Sequence, residues 1–239
     1  MRRAKITGTP LFSLKSLFRM RSELGLLAKV QGLVAISAVE AGAYRVMLVD
    51  VPSFFVPSFW LSRHAAVRRE KSSIDILFVG SDMSFNVDGL TAFLTANRAA
   101  LEGLKIVVCG SVCATEPVRQ AVKDWPSLEL RGFVDDLDPV YAAAKSVISP
   151  VDGTGLKIKM LEALAHGVPV FASSHSRNSL PGGFRDCVFD LDLQAIRRFC
   201  EDDDAQRRAS AAALVYSENL TKAGDLDALT KFIRGLVRH

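Results

Sequence analysis

From residue 72 onward, short apolar runs alternate with longer stretches of helical periodicity. Ile74-Asp-Ile-Leu-Phe-Val79, Lys105-Ile-Val-Val-Cys109, Leu128-Glu-Leu-Arg131, Ser146-Val-Ile-Ser149, Val168-Pro-Val-Phe-Ala172 and Cys187-Val-Phe-Asp190 have the length and content of strands. The intervals 87–101, 117–123, 137–144 and 156–166 carry helical material. A strand with one wet face alternates apolar and polar residues. These runs are nearly all apolar, so both faces must be covered. The pattern predicts an α/β domain: a Rossmann-like parallel sheet with helices on both faces. Sheets of this kind bind ligands beyond the carboxyl ends of their strands. Three more helices are predicted over 191–200, 205–218 and 226–238.

The first 71 residues are less regular. Gly32-Leu-Val-Ala-Ile36 reads as a buried strand, and Ser37 followed by Glu40 has the spacing of a capping box at a helix start. Arg45-Val-Met-Leu-Val49 reads as a second strand. The stretch 51–61 holds two prolines and four aromatics, which suits a linker and not a central strand. These shifts divide the chain into 1–71, 72–222 and a C-terminal helix over 223–239.

Charge alters this picture at the front only. Residues 1–30 hold seven Lys or Arg against Glu23, with Leu14, Leu17, Phe18, Leu24 and Leu27 close to helical spacing. Such a helix can lie on an anionic membrane surface, as a peripheral contact on the inner face. The simpler reading packs its apolar stripe on the rest of the protein. The net charge of the whole chain, +4, is too mild for a dedicated nucleic-acid binder, so no nucleic-acid partner is expected. No run approaches the length of a membrane span. Four scattered cysteines, Cys109, Cys113, Cys187 and Cys200, lack disulfide or zinc spacing and fit free thiols of a cytoplasmic protein.

The chemistry concentrates in Ser149-Pro-Val-Asp-Gly-Thr-Gly-Leu-Lys-Ile-Lys-Met-Leu-Glu162 and the following Ala-Leu-Ala-His-Gly167. A strand ends, a glycine loop turns, and a helix begins with free backbone N–H groups, which is an anion site. Gly153 and Gly155 let a phosphate approach the backbone. Lys157 and Lys159 oppose the helix dipole, which a bound diphosphate would compensate. At about 100° per residue, Gly155, Lys159, Glu162 and His166 share one polar stripe, and nearly all the rest of the helix is apolar. A carboxylate on such a seam needs a partner. That partner is either a ligand or Lys159 itself, three residues away.

This run resembles the donor-site signature of family 4 glycosyltransferases of the GT-B fold. Ile76-Leu-Phe-Val-Gly-Ser81 with Asn86, Ile106-Val-Val-Cys-Gly110, Arg131-Gly-Phe-Val-Asp-Asp-Leu137 and Tyr141-Ala-Ala-Ala144 fit it in order. The resemblance covers roughly residues 72 to 200, the C-terminal, nucleotide-sugar half of that fold, and extends weakly back to Gly32–Ser37. It implies transfer of a sugar from a nucleotide-diphosphate donor to a sugar or lipid-linked acceptor, in polysaccharide biosynthesis, with retention, and without a metal or other cofactor. It places Glu162, with Lys157, in the catalytic set, Glu162 gripping the donor ribose. The loop Gly153, Thr154, Gly155 and Leu156, with Lys159, would hold the diphosphate. Gly80, Ser81 and Asn86 would lie against the phosphates or sugar, and the Phe133 and Val134 backbone against the nucleobase.

Three departures from the family pattern stand out. Thr154 occupies the place of the first glutamate of the E-x7-E pair, and Asp152 falls two residues too early. Gly80-Ser-Asp-Met-Ser84 lacks the basic pair of many members; Lys157 and Lys159 would supply that charge. The chain is also too short for two full halves, so most of the acceptor half is expected to be absent. The alternative function is therefore a non-catalytic module, completed by a partner subunit or acting as a dimer.

Other clusters read more simply. Asp135-Asp-Leu-Asp138 fits a cap before a helix starting at Leu137, and Glu201–Asp204 a solvated break between helices. His64 and His239 are expected at the surface, His166 at a helix C-terminus, and His175 in a loop on the ligand side of the sheet.

Overall fold

The computed structural model describes residues 10–56, 72–152 and 155–237, with side chains described from residue 18. The expected positions of His64, His239, Gly153 and Thr154, and of the linker beyond Val56, lie outside the described residues. The chain divides into two compact units, one holding residues up to Val56 together with Asp225 onward, the other running to Gly224.

In the smaller unit, helix α1 (Pro10–Leu27) precedes strand β1 (Leu33–Ala35), helix α2 (Ala38–Met47) and strand β2 (Ser53–Phe55). The last helix of the chain, α10 (Leu226–Val237), belongs to the same unit. Ser37 caps α2, its hydroxyl accepting from the Glu40 N–H at 3.4 Å. Two expectations are corrected here. Residues 45–47, expected in a strand, continue α2, and Leu48 N–H closes the helix on the Tyr44 carbonyl at 2.8 Å. The run Val46 to Val49 is apolar, but only Leu48 is buried and, among the described residues, no strand pairs with it, so the helix started at Ser37 continues. Residues 53–55, expected in a linker, pair in parallel with β1, Val34 opposite Phe54. With just one neighbour in its sheet, β2 tolerates flanking prolines that a central strand would not. Phe54 then meets Phe232 of α10 at 5.4 Å. Of the expected α1 stripe, Leu24 and Leu27 are half-buried and Phe18 is 68% exposed, while the side chains of Leu14 and Leu17 lie outside the described residues.

The larger unit is a six-stranded, wholly parallel sheet. Its strands are β3 (Ile74–Val79), β4 (Ile106–Cys109), β5 (Leu128–Gly132), β6 (Ala144–Ser149), β7 (Val170–Ala172) and β8 (Val188–Asp190). They lie in the order β5-β4-β3-β6-β7-β8. This is the Rossmann-like arrangement predicted. Side chains alternate between two cores, one on each face. Leu77, Val107, Val147 and Val170 meet Met160, Leu161 and Leu164 of helix α6 (Ile158–Ala165) and Ala213 and Tyr216 of helix α9 (Asp203–Ala223). Ile76, Val108, Ile148 and Phe171 meet Leu90 and Leu94 of helix α3 (Ser84–Leu101) and Ile196 and Phe199 of helix α8 (Leu193–Glu201). Helices α4 (Glu116–Ala121), α5 (Asp138–Ala142) and α7 (Ser174–Asn178) are short connections at the strand ends. All four cysteines are buried free thiols. The expected solvated break at 201–204 is present: α8 ends at Glu201, all four residues are exposed, and Asp202 caps α9 by accepting from Ala205 N–H at 2.9 Å. Among the described residues, no helix is long and apolar enough to cross a membrane.

Candidate functional site

The strand order reverses between β3 and β6, the two strands whose connections run to opposite sides of the sheet. Beyond their carboxyl ends the two loops diverge and leave a crevice, the usual ligand position in an open α/β sheet. A cleft of about 300 Å³ opens there. It is lined by Gly80, Ser81 and Asn86 after β3 and by Leu156, Lys157 and Lys159 after β6. Six residues expected in the donor site thus line one cleft.

The β3 end that lines the cleft is braced by its neighbours, since β3, β4 and β5 each end at a glycine, Gly80, Gly110 and Gly132. Gly80 N–H donates to the Cys109 carbonyl at 3.0 Å, and Gly110 N–H to the Gly132 carbonyl at 2.6 Å. Gly110 has φ +103, and a Cβ built on it would overlap the Gly80 carbonyl oxygen. A glycine is therefore required for β3 and β4 to end side by side. Asn86, on the first turns of α3, donates to the Ser81 carbonyl and hydroxyl at 3.2 and 3.1 Å and folds the β3 loop back on itself. Phe85 lines the cleft beside it, and the Lys157 ammonium lies 5.8 Å from its ring centre.

The loop leaving β6 is clamped at its base. The Val151 carbonyl accepts from both Ser173 and Ser176 hydroxyls at 2.8 Å, and Ser149 donates to Ser176 at 3.0 Å. On the other side Gly89 of α3 lies so close that a Cβ would sit 2.7 Å from the Pro150 carbonyl oxygen. Gly155, with φ +88, turns the chain into α6. Burial pushes the Lys157 ammonium below its usual range, partly offset by Asp152. A cation held there without full hydration gains from an incoming anion. The first N–H groups of α6 have no carbonyl partners within the helix, which adds partial positive charge at the same point.

The polar seam of α6 is occupied. Lys159 donates to both Glu162 oxygens, at 2.8 and 3.2 Å, and forms the i, i+3 pair that the spacing allowed. Glu162 also accepts from the Tyr141 hydroxyl at 3.3 Å. His166 is buried, its Nδ1 2.8 Å from the Glu162 carbonyl and its Nε2 2.9 Å from Asp138 Oδ1. The cap expected from the acidic run is corrected: the N-cap position of α5 is Leu137, without a side-chain bond, and the helix begins at Asp138, one residue later than expected. Asp136 accepts from Asp138 N–H at 3.0 Å, and Asp138 reaches His166. At the far end of the sheet edge, Phe133 is 80% exposed just past β5, and Val134 packs partly against the core. His175 sits in α7 with Nδ1 3.3 Å from Asp152, both exposed.

Tyr141, Phe85, Gly89 and the serine clamp carry no mark of a site residue in the sequence pattern alone. Tyr141 and Gly80, Gly110 and Gly132 stood in the family-like segments, but nothing in the spacing of Ser173 and Ser176 ties them to Val151.

The sequence pattern of a family described as glycosyl transferases group 1 matches residues 73–196. No curated protein matches the sequence. Among solved structures, TarM superposes with a TM-score of 0.67 at 14% identity, covering 91% of this chain and 45% of TarM. Sucrose-phosphate synthase from Thermosynechococcus elongatus gives 0.66 at 17% identity, covering 92% of this chain and 61% of that one. HepE from Anabaena, in complex with UDP, gives 0.62 at 12% identity, covering 87% and 64%. The chain spans less than half the length of TarM and under two-thirds of the other two.

Proposed function

The chain belongs to the glycosyl transferases group 1 family, and from that premise we propose that its larger unit binds a nucleotide-diphosphate sugar and takes part in transfer of the sugar to a sugar or lipid-linked acceptor. The observation that carries this reading is the cleft at the strand-order reversal, where the Gly80–Ser81 loop, the α6 N-terminus, Lys157 and Lys159 converge. Diphosphate oxygens would face the α6 N–H groups and the two ammonium groups, which neutralise the charge that grows on the leaving diphosphate. Glu162 would accept from the ribose hydroxyls. Gly80, Ser81 and Asn86 would meet the phosphates or sugar, and the backbone at Phe133 and Val134 the base. We propose that transfer proceeds with retention and without a metal, the cations and amides of the loop supplying the needed positive charge.

HepE is described in complex with UDP, which makes UDP, with GDP beside it, the first probe. A ligand that binds only the folded chain raises its stability by about 2.7 kcal/mol at a hundredfold excess over Kd. Either nucleotide should therefore raise the melting temperature, and Glu162→Ala with Lys157→Ala should abolish the rise. Unchanged melting of the parent chain with both nucleotides overturns the proposal.

The alternative is a non-catalytic module that binds the donor and is completed by a partner polypeptide or a second copy. Tight nucleotide binding without release of nucleoside diphosphate from the nucleotide sugar, with and without acceptor, would select it.

A further inference from the structure

Glu162 has three polar neighbours, and they are unequal. Lys159 comes from the same helix, three residues earlier, and its side chain is 49% exposed. Such an ion pair is weak and screened, and long lysine side chains re-aim at little cost. Its ammonium is free to turn toward a phosphate when one arrives. Tyr141 comes from α5, a different element, and is 1% exposed. Its hydroxyl points at Glu162 Oε2 from beneath, at 3.3 Å. Burial first, then the charge of Glu162, pushes the Tyr141 phenol well above its usual range, so it stays protonated and donates.

Tyr141 is in turn fixed from its ring face. The His166 imidazole stacks on it at 4.7 Å with an interplanar angle of 24°. His166 cannot slide, because Nδ1 bonds the Glu162 carbonyl and Nε2 bonds Asp138 at the start of α5. Asp138, Tyr141, Glu162 and His166 therefore close a ring between the first turn of α5 and the last turn of α6. That ring couples the backbone of Glu162 to the donor aimed at its side chain. A carboxylate held by one buried donor and one exposed cation can lose the cation without losing its direction.

We propose that Tyr141 is a positioning residue for donor binding. Its hydroxyl holds the Glu162 carboxylate toward the ribose hydroxyls after Lys159 has moved to the diphosphate, with the His166–Asp138 pair fixing its ring. The proposal rests on the reading of Glu162 as the ribose-binding carboxylate, and the test separates the two.

The experiment measures the affinity of the full chain for UDP and for 2′,3′-dideoxyuridine diphosphate by calorimetry, or for GDP and its dideoxy analogue if GDP binds the parent chain more tightly. Tyr141→Phe retains the ring and its stack on His166 and removes only the donor. A lost hydrogen bond to a charged group corresponds to about tenfold in affinity. Tyr141→Phe should weaken the ribonucleotide about tenfold and leave the dideoxy analogue within about twofold, with the melting temperature of the free protein little changed. Glu162→Ala should bring the two ligands to equal affinity. Equal weakening of both ligands by Tyr141→Phe, or no weakening of either, overturns the positioning role while Glu162→Ala keeps its discrimination. If Glu162→Ala leaves the parent preference for the ribonucleotide intact, the ribose reading of Glu162 falls, and the role of Tyr141 with it.

Discussion

The segments β1–α2 and β6–α6 are each a short apolar strand followed by a helix, yet they end in different surroundings. In α6 five of eight residues are buried, and the four strand residues before the β6 turn are buried too. In α2 only Ala41 is buried, and Val39, Val46 and Met47 face outward. Val34, the central residue of β1, is 49% exposed. The apolar content is similar; the neighbours are not. β6 lies between β3 and β7 with helices over both faces, whereas among the described residues β1 pairs with β2 alone. An apolar run is buried only when enough other elements surround it, and a two-stranded sheet does not supply them. The larger unit is therefore expected to hold most of the stability, and the smaller one to respond weakly to substitution.

The sharpest break in that comparison is Leu94→Ala. Leu94 is fully buried on α3, and the resulting cavity should cost about 2–5 kcal/mol, read as a large fall in melting temperature. A loss below about 1 kcal/mol would mean that the larger unit is not tightly packed. Next is Gly110→Ala, where a Cβ would meet the Gly80 carbonyl at an unfavourable φ. Strain of this kind costs about 1–3 kcal/mol, and because it parts the ends of β3 and β4 it should also weaken nucleotide binding in calorimetry.

The thiol contribution to alkaline sensitivity falls within the larger unit, which holds all four cysteines. Burial pushes Cys109 up to about 11, and Cys187 and Cys200 to about 12, from an ordinary 9.0. The folded thiols thus stay protonated where unfolded ones ionise. The stabilisation is whole below pH 9.0 and shrinks as pH rises toward the folded values of about 11 to 12. The melting temperature should fall by several degrees across that window, and a Cys187→Ala, Cys200→Ala variant should fall less steeply. Smaller still is Ser37→Ala in the smaller unit, where loss of the α2 cap should cost about 1 kcal/mol and raise amide exchange over residues 38–47. Val46→Ser, at a residue 79% exposed, should change stability by no more than about 0.5 kcal/mol. A larger effect would show that α2 is covered in solution.

Much of the site could be read before its geometry was known, because it is built from one contiguous run. A strand, a glycine turn and a helix with Lys157, Lys159 and Glu162 on it are local facts, and 3.6-residue periodicity alone puts Glu162 and His166 on one seam. The strand residues that end at Gly80, Gly110 and Gly132 announced themselves by their apolar runs. What local pattern could not reveal were partners from distant segments: Tyr141 against Glu162, Ser173 and Ser176 against Val151, Gly89 against Pro150. The same limit explains the errors in the smaller unit. Residues 45–49 have strand composition, but strand formation needs a neighbour to pair with, and the helix capped by Ser37 runs on through Met47.

By itself, the order of residues in this chain determined the alternation of strands and helices, the parallel character of the sheet and the anion-binding turn before α6, because each follows from periodicity and backbone chemistry within a few residues. Only the tertiary structure decided which strands lie side by side, that the order reverses between β3 and β6 to open a cleft at that turn, and that Asp138, Tyr141 and His166 gather around Glu162. Those outcomes depend on contacts between residues far apart in sequence, for which the chain carries no local signal.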